Sequence, residues 1–87
     1  MAVVWIPAMF RPLAGGAGTV RASGSTLRQV IDDLDRQHPG LRDRLLENGA
    51  IRPEIALAIA SEEVTDLNAP VGDDTEVHIL PAIAGGS

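Results

Sequence analysis

The sequence contains neither cysteine nor lysine, and these two absences exclude several kinds of chemistry. All 7 basic residues are arginines. A chain without cysteine has no disulfide framework, thiolate zinc site, iron–sulfur cluster or thiol nucleophile. A chain without lysine has no Schiff-base lysine, no phosphate-loop lysine and no lysine that could accept another protein. Any sulfur chemistry would therefore use sulfur that the side chains do not supply.

Positive charge, aromatic residues and long apolar runs are scarce. The 87 residues carry 12 acidic and 7 basic side chains, a net charge of −5, and phosphate contacts need a basic face. Trp5 and Phe10 are the aromatic residues, so Ile, Leu and Val must fill the core. No apolar run approaches the roughly 20 residues of a membrane span, and the N-terminus lacks the basic region of a signal peptide. We expect one small cytoplasmic domain that binds neither nucleic acid nor membrane.

One amphipathic helix, over about residues 26–38, is the clearest secondary-structure prediction. Thr26 and Gln29 have the spacing of a capping box at its start. From Leu27 to Leu34, apolar residues recur at i, i+3, i+4 and i+7, which places them in one stripe along a helix. Pro39-Gly40 ends the helix.

Short segments rich in β-branched residues predict a sheet. We expect strands at residues 2–6, 19–22, 54–60 and 75–80, with a brief fifth at 64–67. The remaining segments predict a loop over residues 7–18, a short helical turn over 41–46 closed by Asn48-Gly49, and turns over 61–63 and 70–74. One helix needs one sheet to cover it, so this order predicts an α+β protein of β-grasp (ubiquitin-like) fold, with a mixed sheet of four to five strands packed on one main helix. The domain should cover residues 1–81, and a flexible C-terminal diglycine tail residues 82–87.

Large and small side chains alternate in residues 54–60, so they should lie on opposite faces of a strand. The large ones, Ile55, Leu57 and Ile59, should face the helix. The small ones should form a flat, shallowly exposed surface suited to a partner, made by Ala56, Ala58 and Ala60. An ordinary sheet face of small residues is the alternative.

No arrangement of residues predicts an active site, a metal site or a bound cofactor. His38 and His78 lie 40 positions apart, one at a helix end and one on the outer face of the sheet. The segment Gly15-Gly16-Ala17-Gly18 lacks the Lys-Ser/Thr that follows in a phosphate loop. The carboxylates of Asp32, Asp33 and Asp35 point in different directions on the helix, which predicts a solvated face.

The C-terminus carries the motif that predicts chemistry. Gly85-Gly86 follows Pro81 and a short apolar segment. Glycine has no Cβ, so this backbone can extend into a narrow channel that side chains would block. A terminal glycine carboxylate is unhindered, and ATP can activate it as an acyl-adenylate that a sulfur nucleophile then attacks. A flexible tail without function is the alternative.

Together these features make the chain similar to the ubiquitin-like sulfur-carrier proteins, the MoaD/ThiS-like family. That family includes the small subunit of molybdopterin synthase, the thiamine-pathway carrier and the actinobacterial cysteine-pathway carrier. The resemblance covers nearly the whole chain, and its N-terminal part is most similar to the cysteine-pathway carrier. It is carried by the ending Ile79-Leu80-Pro81-Ala82-Ile83-Ala84-Gly85-Gly86, by Gly24-Ser25-Thr26-Leu27, and by Ile6-Pro7, Arg11-Pro12 and Gly15-Gly16.

The resemblance implies a carrier rather than an enzyme, with no cofactor or metal bound. A ubiquitin-activating-like enzyme would use ATP to adenylate Gly86, a sulfur donor would convert it to a thiocarboxylate, and a biosynthetic enzyme would accept the sulfur. Gly85 and Ala84 would thread the partner's channel, and Pro81 would direct the tail away from the domain. The alanine surface would dock the activating enzyme.

Ser87 departs from the family pattern, because the reactive form ends at Gly-Gly. Either a metallopeptidase removes Ser87 from a precursor, or Ser87 is a cloning-derived or natural residue that prevents activation. Two other functions stay open: a protein modifier that forms isopeptide bonds through Gly86, and a non-covalent interaction module with an inactive tail.

Overall fold

The computed structural model describes residues 1–82, which form a five-stranded mixed sheet with one long helix packed on one face. The elements in chain order are β1 (Ala2–Trp5), a 3-10 helix (Ala8–Ala14), β2 (Thr19–Ala22), α1 (Leu27–Gln37), α2 (Leu41–Leu45), β3 (Leu46–Glu47), β4 (Ala50–Ile51), β5 (Ile55–Ile59), β6 (Glu62–Val64) and β7 (Glu76–Pro81). The five-stranded sheet has the strand order β2-β1-β7-β5-β6. Strands β1 and β7 are parallel, and the other neighbouring pairs are antiparallel. The predicted α+β, β-grasp architecture is confirmed.

Helix α1 begins as its capping residues predict. The backbone N–H of Gln29 donates to Oγ1 of Thr26 over 3.2 Å, which makes Thr26 the N-cap. In a capping box the Gln side chain would accept from the Thr26 N–H. Here Oε1 of Gln29 instead accepts from the backbone N–H of Ser25 over 2.8 Å. The cap is therefore extended by one residue towards the N-terminus, and it fixes the chain that leads from β2 into the helix.

The core lies between α1 and the inner face of the sheet. The four apolar residues of the predicted stripe are all buried: Leu27, Val30, Ile31 and Leu34. They pack in one cluster with inward-facing residues of the strands, among them Val4, Val20, Leu57, Val77 and Ile79. No aromatic residue is among the buried ones, since Phe10 is half-buried and Trp5 is exposed. Aliphatic side chains fill the core, as expected.

Residues 7–18 were predicted to be a loop, and this is wrong for their centre, which forms the 3-10 helix. Pro7 precedes its first turn, where the N–H of Phe10 donates to the carbonyl of Pro7 over 2.9 Å. Gly15 ends it with a φ of 66°. Nε of Arg11 donates to the carbonyl of Ile6 over 3.1 Å and ties the segment to the end of β1. Proline and glycine thus mark the ends of a helical turn here.

Two hairpins also differ from the prediction. Strands β3 and β4 pair across Asn48 and Gly49, both at positive φ (54° and 78°), where only a turn was expected. Strands β5 and β6 pair across Ala60 and Ser61, also at positive φ (50° and 75°). The turn is therefore one residue earlier than predicted, and β6 covers Glu62–Val64 instead of residues 64–67. Within residues 1–82, no helix is long and apolar enough to cross a membrane.

Candidate functional site

Strand β7 carries the chain towards the C-terminus from the middle of the sheet. It pairs with β1 on one side up to Trp5 and His78, and with β5 on the other side up to Ile55 and Pro81. Beyond His78 it therefore has a paired neighbour on one side only. A proline lacks the N–H that a central strand needs, so Pro81 fits at this singly paired end.

Strand β7 ends at Pro81. The prediction ended the strand at residue 80, so its C-terminal end lies one residue further along the chain than expected. The N–H of Ala82 then donates to the carbonyl of Glu54 over 2.8 Å. The pairing of Pro81 with Ile55 and this hydrogen bond hold the chain against β5 up to Ala82. The predicted reactive and threading residues Ala84, Gly85 and Gly86 lie outside the described residues.

An aromatic pair stands on the outer face of the sheet, the face away from α1. The rings of Trp5 and His78 are parallel within 3°, with centroids 5.4 Å apart. This spacing is that of an offset stack. Nε2 of His78 lies 3.2 Å from Oε1 of Glu76. Because a carboxylate can only accept, the imidazole N–H donates to Glu76, which orients the ring under Trp5.

The predicted alanine surface is present in part. Ala56 is half-buried and Ala58 is 8% exposed, and both lie on the outer face, outside the core cluster. In the register, Ala58 is opposite His78 on β7 and Glu63 on β6. These longer side chains flank its methyl group, so Ala58 is not shallowly exposed as expected.

Ala60 does not belong to this surface. It lies beyond the end of β5, in the turn to β6. Its positive φ breaks the alternation of the strand, since side chains alternate only while the backbone is extended. The predicted set therefore reduces to Ala56 and Ala58.

Sequence reasoning missed the most exposed apolar residues of this face. Trp5 is 42% exposed and Leu80 is 46% exposed. The outward position of Trp5 follows from its place in the strand, because successive side chains of β1 point to opposite faces of the sheet. Ala2 and Val4 of the same strand point inward and are buried, so Trp5 points outward. What the sequence did not contain was the parallel register that puts Trp5 beside His78.

The remaining candidate residues have structural roles. The carbonyl of Leu34 accepts the N–H of His38, which makes His38 the C-cap of α1. Oδ1 of Asp35 accepts the N–H groups of Gly40 and Arg42, both over 3.0 Å, and so joins α1 to α2. Among residues 1–82, no group of three or more His, Cys, Asp or Glu residues could hold a metal ion.

Asp33 and Asp32 are also tied to neighbouring elements. The backbone N–H of Ser23, 3.0 Å from Oδ2 of Asp33, holds the pKa of Asp33 below its usual range, and Gln37 and Arg36 act in the same direction. Asp32 forms a 2.8 Å ion pair with Arg42. The expected solvated face is thus a set of contacts that fix α1 against its surroundings.

Comparison with known proteins covers almost the whole chain. The ThiS family matches residues 4–86. The sulfur carrier protein CysO of Mycobacterium tuberculosis (strain ATCC 25618 / H37Rv) is 37% identical over an alignment of 89 positions, which covers 95% of this chain and 96% of that protein. The small archaeal modifier protein 3 of Haloferax volcanii is 29% identical over 65 residues, covering 71% of each chain.

Solved structures agree with the sequence comparison. A chain of the crystal structure of the Amycolatopsis orientalis BexX/CysO complex superposes with a TM-score of 0.92 at 35% identity. The superposition covers 99% of this chain and 100% of that chain. The similarity therefore extends over the sheet and the helices.

Proposed function

Because this chain belongs to the ThiS family and is a sulfur-carrier protein of that type, we propose that it carries sulfur as a thiocarboxylate on Gly86. The observation that supports this most directly is that the family match reaches residue 86 and so includes both glycines of the tail. The chain itself is a carrier, and the chemistry is done by the enzymes that act on its tail.

The proposed chemistry has two steps. A carboxylate oxygen of Gly86 attacks the α-phosphate of ATP, and pyrophosphate leaves. A sulfur nucleophile at the oxidation level of sulfide then attacks the acyl carbon, the bond to AMP breaks, and a thiocarboxylate remains. ATP is a substrate of the activating enzyme, and the carrier needs no bound cofactor.

Two partners follow from this chemistry. A ubiquitin-activating-like enzyme catalyses the adenylation, and a biosynthetic enzyme accepts the sulfur. We propose that the acceptor belongs to cysteine biosynthesis, because the similarity to CysO covers 95% of the chain. Gly85 and Ala84 thread the channel of the activating enzyme, since glycine and alanine are narrow. Pro81, at the singly paired end of β7, sets the direction in which the tail leaves the sheet.

Ser87 must be absent from the reacting species, because its presence places the Gly86 carbonyl in a peptide bond. We propose that a metallopeptidase removes it. The test is carrier-dependent ATP–pyrophosphate exchange with two purified forms, residues 1–86 and residues 1–87. We expect exchange with the form that ends at Gly86 and none with the form that ends at Ser87. Equal exchange by both forms would contradict the role of Gly86.

Intact-mass spectrometry of the untagged protein from its own host tests the same proposal in the cell. We expect a species that ends at Gly86 and a fraction heavier by the difference between one sulfur and one oxygen atom. A population that retains Ser87 throughout, with no such fraction, would favour a non-covalent interaction module.

A protein modifier is the second candidate, and the similarity to the small archaeal modifier protein 3 favours it. A modifier would use the same adenylate and then join Gly86 to a lysine amine of a target protein. The chain has no lysine of its own, so its side chains could not accept a second copy. Covalent adducts on target lysines in its host, lost when Gly86 is deleted, would identify this function.

A further inference from the structure

We propose that Arg52 is a positioning residue for the reaction of the tail, because its side chain fixes the turn from which the tail leaves the domain. This inference rests on the proposed function, since it concerns how the Gly86 carboxylate is presented to the activating enzyme. The turn consists of residues 52–55 and is called the exit turn. Its third residue, Glu54, is hydrogen-bonded to Ala82, where the described part of the chain ends.

The exit turn is a β-turn with proline at its second position. The N–H of Ile55 donates to the carbonyl of Arg52 over 3.0 Å, which closes the turn across Pro53 and Glu54. Proline is favoured at the second position because its ring presets φ. The carbonyl of Glu54 accepts the N–H of Ala82 over 2.8 Å. The segment that leads into the diglycine motif is therefore held by a conformationally restricted turn.

The side chain of Arg52 joins the exit turn to helix α2. Its Nε donates to the carbonyl of Asp43 over 2.8 Å. This carbonyl lies in the last turn of the helix, where carbonyl groups have no donor within the helix itself. The backbone N–H of Arg52 donates to the carbonyl of Leu45, also over 2.8 Å. Backbone and side chain of one residue thus fix the start of the exit turn against the end of α2.

Two carboxylates hold the guanidinium in this orientation. Nη1 of Arg52 lies 3.4 Å from Oε1 of Glu47 and 3.9 Å from Oε2 of Glu54. The side chains of Glu47 and Glu54 are 54% and 63% exposed, and exposed ion pairs contribute little stability. We infer that the hydrogen bond from Nε to Asp43 supplies most of the constraint. A planar guanidinium can make all three contacts at once, which a single ammonium group cannot do as well.

The exit turn determines how much of the tail is free. It holds Ala82 by a hydrogen bond and Pro81 through the pairing with Ile55. Without the turn, the chain is held only up to Leu80. Gly86 follows Ala82 by 4 residues and Leu80 by 6. The effective concentration of a tethered group falls roughly as the −3/2 power of the tether length, so this change lowers it about 2-fold.

The first experiment is ATP–pyrophosphate exchange with the form ending at Gly86 and the ubiquitin-activating-like enzyme encoded in the same genome. Arg52→Met keeps the length of the side chain and removes its donors. We expect kcat to fall about 2-fold with KM for the carrier nearly unchanged, because the docked carrier presents Gly86 less often. Arg52→Lys should recover part of the loss. Arg44→Met is the matched control, since Arg44 is an exposed arginine of α2 outside the exit turn.

Amide hydrogen exchange followed by NMR measures the positioning without the enzyme. Arg52→Met should raise the exchange rate of the Ala82 amide about 5-fold, the change that corresponds to loss of a hydrogen bond of about 1 kcal/mol. Val77 is the internal control, because it is buried and paired on both sides. Its amide exchange should rise less than that of Ala82.

A second variant covers the case in which Arg52→Met fails to fold. Pro53→Gly, at an exposed position, loosens the exit turn and leaves the side chain of Arg52 in place. It should lower kcat and raise the exchange rate of the Ala82 amide in the same way, because glycine has no preset φ.

The outcomes separate this inference from the proposed function. Pyrophosphate exchange with the wild-type carrier, together with an unchanged kcat for Arg52→Met and Pro53→Gly, overturns the positioning role and leaves the function intact. A higher KM with unchanged kcat also overturns it, because Arg52 would then contact the enzyme. Equal increases in amide exchange at Ala82 and Val77 overturn it too, since they show a general loss of stability. Absence of pyrophosphate exchange with the wild-type carrier overturns the proposed function itself.

Discussion

Gly24 holds the chain in a conformation that no other residue can adopt without strain. It has a φ of +147° and leads from β2 into the cap of α1. A Cβ added there would lie 2.7 Å from Cβ of Gln29, 2.8 Å from the backbone N of Val30 and 2.9 Å from the backbone C of Gln29. Two of these three atoms belong to the helix backbone and cannot move away as a side-chain end can.

The loss of stability for Gly24→Ala has two sources. A non-glycine residue in a sparsely populated backbone region costs about 1–3 kcal/mol, and an overpacked contact that shifts the backbone costs a further 1–3 kcal/mol or so. A domain of 87 residues has about 4–13 kcal/mol of stability in total. We therefore expect a loss of roughly 2–6 kcal/mol, a large part of the whole, and a fall in Tm of about 4–8 °C for each kcal/mol.

Equilibrium unfolding in guanidinium chloride is the assay, with Gly49→Ala as the control. Gly49 also has a positive φ, of 78°, but nothing lies within 4 Å of an added Cβ. Gly49→Ala thus measures the strain without the clash. Gly24→Ala should lose at least about 1 kcal/mol more, the low end for overpacking. Equal losses in the two variants would refute the close approach of Gly24 to the helix.

The other predictions concern the polar contacts of α1. Thr26→Ala should lose about 1 kcal/mol and Thr26→Ser should restore it in the same assay, whereas equal stabilities would exclude the hydroxyl as the cap. Asp35→Ala should lose about 1–2 kcal/mol, because the N–H groups of Gly40 and Arg42 lose their acceptor, and Asp35→Asn, which keeps an oxygen there, should lose less. Because the pKa of Asp33 is lowered in the folded state, its carboxylate contributes fully to the free energy of unfolding at any pH above the pKa that Asp33 has in the unfolded chain. This contribution is lost as the pH falls below about 4. Unfolding midpoints measured across this range should fall less steeply for Asp33→Asn, and a parallel pH dependence would contradict the shift.

The local elements were predictable because their signals lie within a few residues of each other. The apolar stripe from Leu27 to Leu34 identified α1, and all four of its members are buried. The alternation of Ile55 and Leu57 with Ala56 identified the inner and outer sides of β5. One helix and several short strands are most simply arranged as a single sheet covered by the helix, which predicts the β-grasp fold. The structure confirms this arrangement.

Two hairpins differ from the prediction, and only the first has a local signal in the sequence. Asn48-Gly49 is a strong signal for a two-residue hairpin, and it joins β3 to β4. Ala60 carries no such signal, because alanine rarely adopts a positive φ. It does so here while its N–H donates to the carbonyl of Glu76 over 3.0 Å, and Glu76 is distant in sequence. Tertiary contacts, rather than local preference, set the position of that turn.

The sequence by itself determined the helix, the strands β1, β2, β5 and β7 and the diglycine motif, because periodicity, capping and glycine content are properties of neighbouring residues. Only the tertiary structure decided which side chains share the outer face. Trp5 and His78 are 73 positions apart in the chain, and they meet because β1 and β7 pair in parallel with one particular register. A shift of that register by one residue would place the two side chains on opposite faces of the sheet. Pairing between distant strands is set by the packing of the whole core, so no local pattern could have placed the ring of His78 beneath Trp5.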